Sequence, residues 1–164
     1  MKSSIFTENS KKKEKKMKPA GELFNIVVKG SEFMIGSRVW GGSHDNSDYD
    51  FIYTDEKVKK LVKYLREKQY VNVQEWGGSG AGHKLYNVGN YVFYLDGDKI
   101  NILSYKSKDI KKVKLASEFM LNLPPEIKEG LKEKAIRIVF FEFIIKYLFR
   151  GEEDDDKMSK LWKC

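Results

Sequence analysis

The chain has 164 residues, 41% of them hydrophobic and 13% aromatic, which fits one domain with a buried core and excludes a wholly disordered polymer. Lysine and arginine outnumber aspartate and glutamate 31 to 24, for a net charge of +7. No window reaches the roughly 18 uncharged apolar residues of a membrane span, and no apolar run follows the first lysines as it would in a secretory leader. A single cysteine, Cys164, excludes a disulfide framework and a cysteine zinc cluster, and His44 and His83 are too few for a His-rich metal site. The expectation is a protein of a reducing cytoplasm that does not engage membrane.

Residues 1–19 form a basic arm, with seven lysines against two glutamates in residues 1–20. Such a self-repelling segment is expected to be disordered, and its lysines suit weak, salt-dependent contact with nucleic-acid phosphates. The domain itself is expected over residues 20–150. After Pro19 a short helix carries Leu23, Phe24, Ile26, Val27 and Val28. A strand over Glu32–Ile35 runs into Gly36-Ser37. A polar stretch from Arg38 to Ser47 then leads to a second strand, Asp48–Thr54. Val58, Leu61, Val62 and Leu65 have helical spacing over Asp55–Gln69, with Asp55 as N-cap. Tyr70–Glu75 reads as a strand, and Gly77–Gly82 as a flexible glycine loop. Asn90–Leu95 and Lys99–Tyr105 read as a hairpin turned by Asp96-Gly97-Asp98. Lys106–Leu123 reads as a helix stopped by Pro124-Pro125, and Glu126–Phe149 as a long helix ended near Gly151, followed by an acidic, polar tail over 151–164.

This order of elements gives an α+β domain with a helical C-terminal portion. Only Arg137, Glu142 and Lys146 interrupt the apolar run Ala135–Phe149. A helix apolar nearly all round is buried or forms an interface, so this one is expected either to pack internally or to make a homodimer.

The chemistry-bearing stretch is Phe33-Met34-Ile35-Gly36-Ser37-Arg38-Val39-Trp40-Gly41, followed by Ser47-Asp48-Tyr49-Asp50-Phe51. Glycine permits close approach of backbone to a ligand. A helix starting at Ser37 would offer free amides and a hydroxyl to phosphates. Asp48 and Asp50 stand two apart, so on a strand both project from one face, where they repel unless a cation lies between them. Hard oxygen ligands of this kind suit Mg²⁺ with substrate phosphates. Arg38, beside Ser37, is a candidate phosphate contact, and Lys84 a weaker one. Trp40 and Tyr49 suit base stacking or, more ordinarily, the core. The histidines suit solvent or a local hydrogen bond.

Gly36-Ser37-Arg38-Val39-Trp40-Gly41 with Ser47-Asp48-Tyr49-Asp50-Phe51 resembles the signature of the DNA polymerase β-like nucleotidyltransferase superfamily, most of all its small bacterial and phage members. The motif proper covers Phe33 to Tyr53, and the order of elements agrees over roughly Gly21 to Arg150. The resemblance implies a small mixed sheet with flanking helices. It also implies that Ser37 contacts a nucleoside triphosphate, that Gly36 permits that approach, and that Asp48 and Asp50 ligate Mg²⁺ or Mn²⁺. The superfamily carries a third acid on a later strand, between apolar residues; here that position is Asn101, in Lys99-Ile100-Asn101-Ile102-Leu103. An amide brings no charge and cannot act as a base. Glu75, Asp98 and Glu142 are the alternative sources of a carboxylate, with Asp96 also near in the turn.

Three functions follow as expectations. The first is a Mg²⁺-dependent nucleotidyltransferase acting on a hydroxyl of RNA, protein or a small molecule. The second is a catalytically weakened relative that binds nucleotide, nucleic acid or protein. The third is a phage-type accessory protein docking through its C-terminal helix.

Overall fold

The computed structural model describes residues 20–77 and 86–162, with residues 151–162 as backbone. The basic arm, most of the glycine loop, His83, Lys84 and Cys164 lie outside the described residues. In chain order the elements are α1 (Ala20–Gly30), β1 (Phe33–Ile35), α2 (Ser37–Trp40), β2 (Tyr49–Thr54), α3 (Asp55–Lys68), β3 (Gln74–Gly77), β4 (Gly89–Leu95), β5 (Asp98–Tyr105), a 3₁₀ turn (Ser107–Asp109), α4 (Ile110–Leu121), α5 (Pro125–Gly130) and α6 (Lys134–Trp162). The fold is α+β: a five-stranded mixed sheet with flanking helices and a helical C-terminal portion. No helix among the described residues is long and apolar enough to cross a membrane.

The sheet order is β1-β2-β5-β4-β3, with β2 parallel to β5 and every other neighbour antiparallel. A hairpin cannot join parallel strands. The chain therefore leaves β2 through α3 and returns to the sheet at β3, and β5 reaches β2 only after the β4–β5 hairpin. In that hairpin Asp96 (φ 51°) and Gly97 (φ 88°) supply the two left-handed residues that its turn requires.

Each sheet face owns a core. Phe51, Tyr91, Phe93, Ile100 and Ile102 pack against Leu23 and Val27 of α1 and Val58, Leu61, Val62 and Leu65 of α3. On that side the Tyr53 hydroxyl donates to the Val27 carbonyl. Ile52 and Tyr105 leave the sheet on the other face and meet Val113, Ala116 and Met120 of α4 and Phe141, Ile145 and Phe149 of α6. Alternation along the strands thus builds two apolar layers from one sheet.

Several boundaries differ from the sequence expectation. The cap of α3 is Thr54, whose hydroxyl accepts from the Lys57 amide at 3.3 Å, and not Asp55, which begins the helix. Tyr70 takes φ 54° and the Val71 amide returns to the Leu65 carbonyl, closing the end of α3 and delaying the strand to Gln74. Lys106 is extended, and a 3₁₀ turn precedes α4. The long C-terminal helix is two helices, because the chain turns at Leu131, which is buried, before α6 begins at Lys134. Gly151 does not end α6, whose helical backbone continues through the expected tail to Trp162. Glycine costs a helix about 1 kcal/mol against alanine, but unlike proline it removes no hydrogen bond.

Candidate active site

Strand parity and register assemble the site. Asp50 on β2 lies directly across the parallel ladder from Asn101 on β5, so both side chains leave the sheet on one face. Asp48 belongs to the same face, two residues earlier. The Asn101 amide donates from Nδ2 to Asp48 Oδ2 at 3.0 Å and to Asp50 Oδ1 at 2.9 Å. The Lys99 ammonium stands 3.7 Å from Asp48 Oδ2. Two carboxylates that would repel therefore converge on one donor.

Gly36 sets the approach of the preceding strand. Its φ of 92° and ψ of −166° are open to glycine alone, and a Cβ there would lie 2.2 Å from Asp50 Oδ2. Ser37 follows as the first residue of α2. This helix is one turn long, with Val39 and Trp40 both bonded to the Gly36 carbonyl. The expected helix-terminus anion site is thus reduced, since four residues sum to a small dipole. What remains on the cleft wall is Ser37 itself.

The cleft has a volume of about 500 Å³. Ser37, Trp40, His44, Asp48, Asp50 and Asn101 line one side. Lys132, Lys134, Arg137, Ile138 and Phe141 line the other, from the turn before α6 and its first two turns. Arg137 is buried at 6% exposure, and its Nη1 donates toward the carbonyls of Lys132 at 3.2 Å, Leu131 at 3.3 Å and Gly41 at 3.4 Å. It ties the α5–α6 turn to the glycine pair after α2. Gly42 belongs to the same junction, because a Cβ there would meet the Lys132 carbonyl at 2.8 Å.

The charges are coupled across this space. Burial pushes the Asp50 carboxyl above its ordinary range; the Asn101 hydrogen bond opposes this, the Asp48 charge adds to it, and Lys134 and Arg137 oppose it. Burial likewise lowers the Arg137 guanidinium, while Asp50 supports its charged form.

Arg38 is placed differently from the phosphate contact expected of it. Its Nε and Nη2 donate to the Ser47 carbonyl at 3.1 and 2.8 Å, and Nη2 also donates to the Asp45 carbonyl at 3.1 Å. The guanidinium lies 3.8 Å from the centre of the Tyr49 ring, whose side chain leaves the sheet away from Asp50. Arg38 folds the loop that delivers Asp48 and does not line the cleft. Tyr49 packs edge-on against Phe24, and Trp40 packs on Phe141, each ring pair 4.8 Å apart. His44 Nδ1 accepts from the Asn46 amide at 3.2 Å.

None of the alternative acids reaches the cleft. Glu75 stands on the far strand β3, 3.7 Å from Arg66. Asp98 faces a separate hollow with Gly21, Phe24 and Tyr49, Asp96 sits at the hairpin turn, and Glu142 is absent from the cleft lining. Among the described residues no three His, Cys, Asp or Glu side chains converge as a metal cluster. The third position holds the Asn101 amide.

Sequence reasoning missed Lys132, Lys134 and Arg137 as cleft residues. The available signal was Arg137 itself, a guanidinium interrupting an apolar helix. Such a charge needs partners when buried, and its partners here are backbone carbonyls brought in by the turn at Leu131. No family model matches the chain, and no curated protein or solved structure matches it.

Proposed function

We propose that the cleft binds a nucleoside triphosphate with Mg²⁺ or Mn²⁺ and transfers its nucleoside monophosphate to a hydroxyl acceptor, the new bond to the α-phosphorus displacing pyrophosphate and the acceptor proton passing to solvent. The observation that carries this reading is the convergence of Asp48 and Asp50 on one donor, 3.0 and 2.9 Å away, in a cleft whose facing wall is cationic. A point where two carboxylate oxygens meet a hydrogen-bond donor is a point of negative potential. The desolvated Asp50 is a carboxylate that a cation would relieve. Two carboxylates plus substrate phosphates are a fitting donor set for one hard divalent ion.

Bound there, the ion would neutralise triphosphate charge and polarise the reacting phosphorus. The chain's own groups do the rest. Asp48 and Asp50 hold the ion, and Asn101 orients their oxygens. Ser37 donates to a phosphate oxygen at the Gly36 approach. Lys132, Lys134 and Arg137 compensate the negative charge from across the cleft.

Beyond Asn101 the same sheet face continues through Val92, paired with Asn101, and Tyr94, paired with Lys99. Tyr94 is 60% exposed. An aromatic face beside a lysine favours a hydroxyl presented by RNA over one presented by protein, since bases stack on such rings. The lysines of the arm add weak contact with the same acceptor.

A second reading has its own observation. With Asn101 across from Asp50, no third carboxylate among the described residues stands ready to take the acceptor proton, which favours a weakened relative that binds nucleotide without efficient chemistry. Label transfer from each of the four triphosphates, with Mg²⁺ or Mn²⁺ and RNA or protein acceptors, separates the two. Transfer by the native protein that is lost in Asp48→Ala and Asp50→Ala supports the enzyme. Triphosphate binding without transfer supports the binding module, and neither binding nor transfer refutes both.

A further inference from the structure

Helix α6 is apolar on two opposite sides. Phe141, Ile145 and Phe149, spaced four apart, are buried against α4 and the sheet. Ile136, Val139, Phe143 and Tyr147 are 47%, 65%, 64% and 72% exposed. At 3.6 residues per turn these four fall within about 80° of the helix circumference, roughly opposite the cleft-lining Lys134, Arg137, Ile138 and Phe141. Helix α4 packs against α6, and it leaves Leu115 and Phe119 55% and 53% exposed.

We propose that this α4–α6 face pairs with its copy on a second molecule across a twofold axis, the two α6 helices running antiparallel. Area supports a second copy as the occupant. Six side chains of about 150–200 Å² each, a little over half exposed, present about 600 Å² per copy and about 1,200 Å² per pair, at the threshold of stable interfaces and the top of what monomers leave bare. The chain outside the described residues does not suit the role: residues 1–19 are lysine-rich, and residues 78–85 are mostly glycine and polar.

Charge supports the geometry. Glu142 and Lys146 lie on one flank of the stripe. In a twofold antiparallel pair like flanks meet, and an axis near residue 144 sets each Glu142 opposite the partner's Lys146, twice per dimer. In a parallel twofold pair unlike flanks meet, so Glu142 would face Phe140 and Ile144 and find no basic partner. Because the stripe and the cleft are on opposite sides of α6, the pairing leaves both clefts open, and it does not depend on what the cleft binds.

The test is sedimentation velocity on the full chain over a range of concentrations. The native protein is expected as a dimer at micromolar concentration, and Phe143→Glu as a folded monomer by circular dichroism. Glu142→Lys and Lys146→Glu should each weaken the dimer about tenfold or more, and the double swap should return it to within about threefold of native. A monomeric native protein at about 100 μM, or a Phe143→Glu protein that dimerises as before, overturns the proposal. Single swaps without effect, or a double swap without rescue, overturn the antiparallel pairing.

Discussion

At the scale of single residues, Gly36 is where backbone and site chemistry meet. Any side chain there must adopt a glycine-only conformation and also displace the Asp50 carboxylate. Gly36→Ala should therefore lose about 1–3 kcal/mol of stability in chemical denaturation and weaken Mg²⁺–triphosphate binding. A normal midpoint with normal affinity would show that β1 enters the site differently. Asp50 gives a pH-dependent expectation. Its folded pKa is raised above 3.8, chiefly by burial, so the fold favours the neutral carboxyl. That contribution is fully present below the unfolded value and is lost as pH rises through the folded one. In metal-free buffer Asp50→Asn should therefore melt higher than native at pH 7, and the gain should fade toward pH 4. A gain independent of pH would point to packing and not to charge. Both positions were legible from sequence, because spacing alone brings Asp48 and Asp50 to one face. Arg38 was misplaced because adjacency to Ser37 does not say on which side of a strand an arginine folds. The free loop carbonyls of Asp45 and Ser47 and the Tyr49 ring hold it on the other side.

At the scale of elements, Thr54 and Tyr105 carry separate tests. Thr54→Ala removes the hydroxyl that accepts from the Lys57 amide and should cost about 1 kcal/mol. Asp55→Asn keeps that cap and loses mainly an exposed pair with Lys59 at 3.1 Å, so it should cost less than half as much. Equal losses in the two variants would return the cap to Asp55. Tyr105 is fully buried on β5, and its hydroxyl has no hydrogen-bond partner among the described residues. Tyr105→Phe keeps the ring and should raise stability by about 1 kcal/mol; a loss of that size would reveal a partner. Strands and helices with strong alternation or helical spacing were legible, as in β4, β5 and α3. The helix ends were not. The break between α5 and α6 depends on its carbonyls at Leu131 and Lys132 meeting Arg137, and above all on Leu131 burying itself in the core with Ile52 and Tyr105, a long-range event that no local pattern records.

At the scale of the whole molecule, the sheet order decides the chemistry. Placing β5 beside β2 puts Asn101 against Asp50 and leaves Glu75 two strands beyond β5. The α+β class followed from element order, whereas the cationic wall arose from folding back a helix whose charged residues read as interruptions. With two carboxylates and an amide, the proposed site would hold one ion better than a second. Asn101→Asp should tighten Mn²⁺ binding, and it should raise or create transfer if no other base serves. The proposed metal–triphosphate site is tested most directly by calorimetric titration of a non-hydrolysable triphosphate into the native protein, Asp48→Ala and Asp50→Ala, with and without Mg²⁺. Mg²⁺-dependent binding to the native protein is expected at a stoichiometry near one per chain, and its loss in both folded variants. Binding that is indifferent to Mg²⁺, or unchanged in both variants, would contradict it.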